Sequence, residues 1–228
     1  MIAPRDYALS GFCPNDFEVA VARLLGLKVK RSIIEVQAWD SAGRVDRTQF
    51  REGTDLRDAD GILEFDYSQM KRIMAVFRVE FVNVSTNVVV ELRRWNSGCV
   101  VDGMVYLEDL IEEEISAARR LEQLAAFVAE VAMHTGAILI SLVDEDLNDV
   151  VLPGMPVKVP RLFSAFRTSA FPELALNSAL EGEVAVSWLQ PPEAFLNGKP
   201  LVNETEREVI AGLAAGLEPF LSRGAFLA

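Results

Sequence analysis

The chain holds a single histidine, His134, in 228 residues. Any Ser–His or Cys–His catalytic pair would have to be built on that one imidazole, because the base must reach its nucleophile. His134 lies in MHTG, at the end of a helical pattern, where an imidazole interacts favourably with exposed helix carbonyls. Cysteine is nearly as scarce. Cys13 and Cys99 are far apart and neither belongs to a CxxC, so nothing suggests a disulfide framework or a zinc site, and the expectation is two buried thiols in a reducing cytosol. Long apolar runs are missing too. VAMHTGAILISLV (131–143) is only 13 residues and is interrupted by His134, Thr135, Gly136 and Ser141, whereas a membrane span needs about 20. The start, MIAPRDYALSGF, has an early Asp6 and no apolar core behind a basic segment, so it does not read as a secretion signal. A cytoplasmic location away from membranes is the expectation. GxSxG, HExxH, GxxxxGK[ST] and GxGxxG are all absent from the sequence, so neither a cofactor nor a catalytic residue is expected.

Positive charge is short in one half only. Residues 1–105 carry 15 acidic and 14 basic side chains, residues 106–228 carry 19 and 8, and the whole chain has a net charge of −12. An acidic half repels phosphate backbones, which argues against nucleic acid as a partner, and it attracts a basic protein. The densest acidic stretch is VDEDLND (143–149), directly after the apolar run AILISLV. Asp144, Asp146 and Asn148 fall at the first, third and fifth positions of a calcium loop, but Asp149 stands where glycine is needed and Met155 where the closing glutamate is needed. DADG (58–61) fails likewise, with Leu56 and Tyr67 at the two end positions, so no metal is expected. Acid–base catalysis by paired carboxylates requires a buried acid of raised pKa. The stretch reads instead as a solvated loop after a buried strand. It is also the core of an expected partner-facing acidic surface: Glu112, Glu113, Glu114, Asp144, Glu145, Asp146 and Asp149.

Periodicity supplies the elements. DFEVAVARLLGL (16–27) has helical spacing, with Asn15 or Asp16 as cap and Gly26 as stop. SIIEVQAWD (32–40) reads as a strand, and the polar residues 41–61 as a loop. Residues 73–82 alternate, 88–95 are rich in β-branched residues, and NVSTN between them predicts a hairpin with a loop of three to five residues. CVVDGMVY (99–106) adds a strand turned at Asp102-Gly103. Leu107 through Ala132 form one apolar stripe, which predicts a long helix over 107–134 closed by Gly136. Residues 144–182 read as irregular, with a short helix near 161–170. EVAVSWL (183–189) is a strand, and NETE (203–206) opens a terminal helix. GLAAG (212–216) in that helix points to close packing against a sheet, and the three tryptophans to core positions. The order of elements is that of one α+β domain spanning 1–228: a largely antiparallel sheet with a central hairpin, and a long amphipathic helix and a C-terminal helix packed on it.

The early DFEVAVARLLGL helix behind a short strand, the central helix followed by a strand, and the close EVAVSWLQPPEAFLNGKPLVNETEREVIAGLAAGL together resemble one bacterial group. That group is the immunity proteins of polymorphic-toxin and type VI secretion systems, in particular the α+β family that accompanies restriction-endonuclease-fold toxins. The resemblance implies a cytoplasmic antidote that binds a cognate toxin, a nuclease among the candidates, and blocks it. It is one of architecture and carries over no functional residue. Two other classes stay open on the sequence: a small carboxylate- or metal-dependent enzyme, and a scaffold that self-associates through a sheet edge.

Overall fold

A computed structural model describes residues 7–27, 32–43, 45–49, 68–95, 98–111, 114–144, 157–158, 160–175, 179–181, 183–198 and 203–224. Along the chain these form β1 (Tyr7–Cys13), α1 (Phe17–Gly26), β2 (Ser32–Asp40), β3 (Val45–Gln49), β4 (Met70–Phe81), β5 (Val84–Trp95), β6 (Gly98–Val105), α2 (Leu107–Ile111) and α3 (Glu114–Thr135). There follow β7 (Leu139–Asp144), β8 (Phe163–Arg167), α4 (Pro172–Ala175), β9 (Ala179–Glu181), β10 (Val184–Trp188), α5 (Pro192–Leu196) and α6 (Asn203–Gly224). The fold is α+β, as the order of elements predicts. Ten strands share one sheet in the order β3-β2-β4-β5-β6-β1-β7-β8-β10-β9, and every neighbouring pair is antiparallel. The N-terminal strand β1 lies between β6 and β7, so the charge step near residue 105 falls inside a continuous sheet.

Strand alternation gives the sheet two apolar faces of different extent. On the first face, Tyr7, Leu9, Ile73, Phe77, Leu92, Ile140 and Phe163 join Phe17, Leu24, Leu121, Phe127 and Phe195 of the helices in one core. Phe77 meets Phe127 of α3 edge-on at 5.5 Å. On the second face, Phe12, Leu139, Phe166 and Ala185 meet Val209, Leu213 and Leu217 of α6. Strands covered on both sides need no polar alternation. That is why β1 and β7 are buried throughout, and why FSAFR in β8, expected as a short helix, is a strand with alternate residues in the two cores.

Other differences have local causes. The hairpin loop is only Val82-Asn83, because Phe81 already pairs with Val84; Asn83 takes φ 60°, a conformation asparagine tolerates better than most residues. Asp102-Gly103 lies within β6 and is no turn. β3 occupies part of the expected 41–61 loop. The stretch 107–134 holds two helices. A continuous helix would give the Leu110 carbonyl to the amide four residues on; here it accepts from Arg120 Nη1 at 3.2 Å. Arg120 is itself almost fully buried, and its Nε donates to Val82 O at 2.8 Å while Val82 N donates to Gln123 Oε1 at 3.0 Å. Helix α3 thereby holds the tip of the β4–β5 hairpin through both backbone groups of one residue.

At its other end α3 stops at Gly136, whose φ of +80° suits only glycine well. The last carbonyls are satisfied from neighbouring elements: Thr135 O accepts from Asn15 Nδ2 at 3.0 Å and Cys13 Sγ at 3.3 Å, and Met133 O accepts from Arg167 Nη2 at 3.2 Å. His134 bonds within its own helix, Nδ1 donating to Glu130 O at 3.0 Å. Asp16 is the N-cap of α1 without a side-chain capping bond. The GLAAG glycines do permit a close approach, though to the α4 region and not to the sheet. A Cβ on Gly216 would lie 2.2 Å from Phe171, and one on Gly212 2.8 Å from Leu174.

Candidate functional site

The second face of β2, β4, β5 and β6 is the part of the sheet where helix packing and side-chain exposure diverge. Helices α1, α2 and α3 pack on the first face of these strands. Register then aligns three rows on the other side. The first row runs Trp39, Arg72, Arg93; the second Gln37, Met74, Glu91, Asp102; the third Glu35, Val76, Val89, Met104. Strand periodicity alone puts them together, since residues two apart share a face.

The first two rows form a linked polar network. Arg72 lies over the Trp39 ring at 4.3 Å, a cation–π contact. The Arg72 guanidinium also bonds the Glu91 carboxylate. Arg93 Nε donates to Asp102 Oδ2 at 2.6 Å and lies 3.7 Å from Glu91. Glu91 is buried, and desolvation raises its pKa above the ordinary glutamate value even though the Arg72 bond and charge pull it down. The arginines stay accessible, with side chains 43% and 48% exposed. The third row is apolar apart from Glu35: Val76 and Val89 are half-buried and Met104 is 37% exposed. The arrangement is an apolar strip beside a hydrogen-bonded rim of Trp and Arg, which suits contact with another macromolecule.

The acidic residues singled out in the sequence do not assemble here. Glu112, Glu113, Glu145, Asp146 and Asp149 lie outside the described residues, as does the DADG stretch. Glu114 is the first residue of α3, and its side chain is not among those described. Asp144 corrects the loop reading. It ends β7 in register with Tyr7 and is only 4% exposed, because the strand continues one residue past the apolar run and is covered on both sides. It cannot serve as an exposed partner contact. Among the described residues no three metal-capable side chains cluster, and no helix is long and apolar enough to cross a membrane.

Of the network residues Trp39 was singled out from the sequence, as a core position, and it lies in neither core cluster. The signal for the network was present: in VVVELRRW, Glu91, Arg93 and Trp95 alternate with buried Val90 and Leu92. Of the tryptophans, Trp95 packs edge-on against Phe12 at 5.7 Å and Trp188 tilts on Phe163 at 5.1 Å; Trp39, beside the edge strand β3, is the one in the network. Elsewhere, an open cleft of about 390 Å³ lies at the end of α3 and is lined by Pro14, Asn15, Arg23, Gly136 and Arg167 among others. Its arginines are occupied in part by structure, Arg167 pairing with Glu183 at 2.9 Å. No family model matches the chain, and neither the curated proteins nor the solved structures provide a match.

Proposed function

We propose that this chain is a protein-binding immunity protein, that its partner is a toxin with a basic surface, and that the toxin docks on the second face of β2, β4, β5 and β6. The observation that carries the docking reading is the strip Val76–Val89–Met104, left partly exposed beside the Trp39–Arg72–Glu91–Arg93–Asp102 network. Interfaces combine an apolar centre with a polar rim, and tryptophan and arginine are over-represented among the side chains that dominate binding energy. The antidote class rests on the resemblance of the layout, and a basic partner on the net charge of −12, which steers a cationic protein toward the chain.

The test is recovery of the tagged protein from its native host, washed at low and at high salt and read by mass spectrometry. The expected result is one near-stoichiometric basic protein that is toxic when expressed without this chain. Val89→Glu or Met104→Glu should abolish its recovery, while Val19→Glu, on exposed α1 surface, should not. Absence of a partner at both salts would refute the antidote reading. Recovery unchanged by Met104→Glu would refute the docking face alone.

A further inference from the structure

We propose that Cys13 and Cys99 are an oxidation site, at which a peroxide-class oxidant converts the two thiols to a disulfide joining β1 to β6. The residues are far apart in sequence, but they are direct register partners at the ends of adjacent antiparallel strands. Directly opposed residues in such a ladder have Cα atoms about 4.5 or 5.5 Å apart, depending on the pair type. Both spacings fall inside the disulfide window of about 4.4–6.8 Å. Both side chains point into the same core, and both thiols are free and buried.

The surroundings give the two sulfurs different roles. Cys13 Sγ lies 3.3 Å from Thr135 O, and Cys99 Sγ 3.6 Å from Asn15 O. Of the two, Cys13 is the more acidic: the neighbouring Cys99 thiol and, more weakly, the charges of Arg23 and Arg167 lower its pKa against the opposing cost of burial, whereas proximity to Cys13 and burial raise that of Cys99. The residues immediately after Cys13, Pro14 and Asn15, line the cleft that also holds those two arginines. The chain next to Cys13 thus borders a solvent-open cleft, the route by which a small neutral oxidant would approach.

The chemistry balances with hydrogen peroxide as the named oxidant. The Cys13 thiolate attacks one peroxide oxygen, the S–O bond forms, the O–O bond breaks, and hydroxide leaves as water after taking a proton. Cys99 then gives up its proton and attacks the Cys13 sulfenic sulfur; the S–S bond forms and the S–O bond breaks with loss of a second water. Two thiols are oxidised by two electrons and one peroxide is reduced to two waters.

The experiment treats the reduced full-length protein with excess hydrogen peroxide, quenches time points by alkylation under denaturing conditions, and maps unreduced peptides by mass spectrometry. The expected result is loss of both thiols with one time course and a cross-linked Cys13–Cys99 peptide pair, two hydrogens lighter than its parts and restored by dithiothreitol. Cys99→Ser should leave a sulfenic acid on Cys13 that dimedone traps. Arg23→Gln, at an exposed position, should slow the reaction several-fold. Two thiols still free after excess peroxide, or cross-links only between chains, would overturn the proposal on the wild-type protein alone.

Discussion

Replacing Arg120 by methionine tests whether the α3 clamp on the hairpin is a source of stability. The side chain is 1% exposed and donates at least two hydrogen bonds, to Val82 O at 2.8 Å and Leu110 O at 3.2 Å. Hydrogen bonds to charged groups contribute about 1.5–3 kcal/mol each, and a buried acceptor left without a donor carries its full desolvation cost. The Leu110 contact is buried and the Val82 contact partly so. We assign about 2 kcal/mol to the first and about 1 kcal/mol to the second. Methionine fills most of the volume and avoids a cavity. The expected loss is therefore about 3 kcal/mol, or about 6–12 °C in Tm for a chain of this size. Arg120→Lys, which keeps the charge but loses the fork, should fall between the two. Urea unfolding followed by tryptophan fluorescence measures all three. The opposing principle is that replacing a buried charge by an apolar side chain of similar volume is often neutral or stabilising. An Arg120→Met protein as stable as the wild type would show that desolvation of the guanidinium cancels its bonds, and the clamp argument would fail.

Three further outcomes follow from the same contacts. Gly136→Ala should cost about 2–3 kcal/mol in denaturant unfolding, since alanine is strained at φ +80° and its Cβ would lie 2.1 Å from Asn15 Nδ2. Gly216→Ala should cost about 1–3 kcal/mol through the clash with Phe171, while Ala215→Ser on the exposed side of the same helix stays within about 0.5 kcal/mol. For Glu91 the sign comes from its raised pKa: the folded state holds the proton more tightly than the unfolded chain, so its contribution to stability is fully present below the ordinary glutamate value and is lost as pH rises through the raised one. Stability of the wild type relative to Glu91→Gln should accordingly decline as pH climbs above about 4.5, the ordinary glutamate value; a difference that is flat or rises with pH contradicts the assignment.

Elements with one buried face were legible in the sequence, and so were the doubly buried β7, an unbroken apolar run behind Gly136, and β10; β8 and the division between α2 and α3 were not. The α1 pattern and the strand Ser32–Asp40 stand where periodicity puts them, because each shows apolar spacing against a polar background. β8 was hidden because Phe163 and Phe166 serve opposite cores, so its spacing imitates a helical turn. The break between α2 and α3 was hidden for a different reason. The apolar stripe continues past Ile111, while the Leu110 carbonyl accepts from Arg120, a contact that no local pattern encodes. The candidate face has the same character. Arg72, Arg93 and Trp39 come from separate strands, and only register brings them side by side.

That register also separates two electrostatic scales that composition merges. The net charge of −12 acts at range, and salt at physiological strength screens it beyond about 8 Å. On the proposed docking face, by contrast, Arg72 and Arg93 already face Glu91 and Asp102, so the surface offers little unmatched charge for a partner to neutralise. Attraction of a basic protein and its retention would then depend on different parts of the molecule. Salt would act mainly on the rate of arrival, as it does where charges steer encounter without being buried, while a charge placed on the Val89–Met104 strip would act on the rate of departure, as truncation of an interface centre does. An acidic antidote whose contact surface is itself nearly balanced is thus consistent physically. On the proposed reading, the acidity would govern encounter, and the partly exposed sheet face would govern the lifetime of the complex.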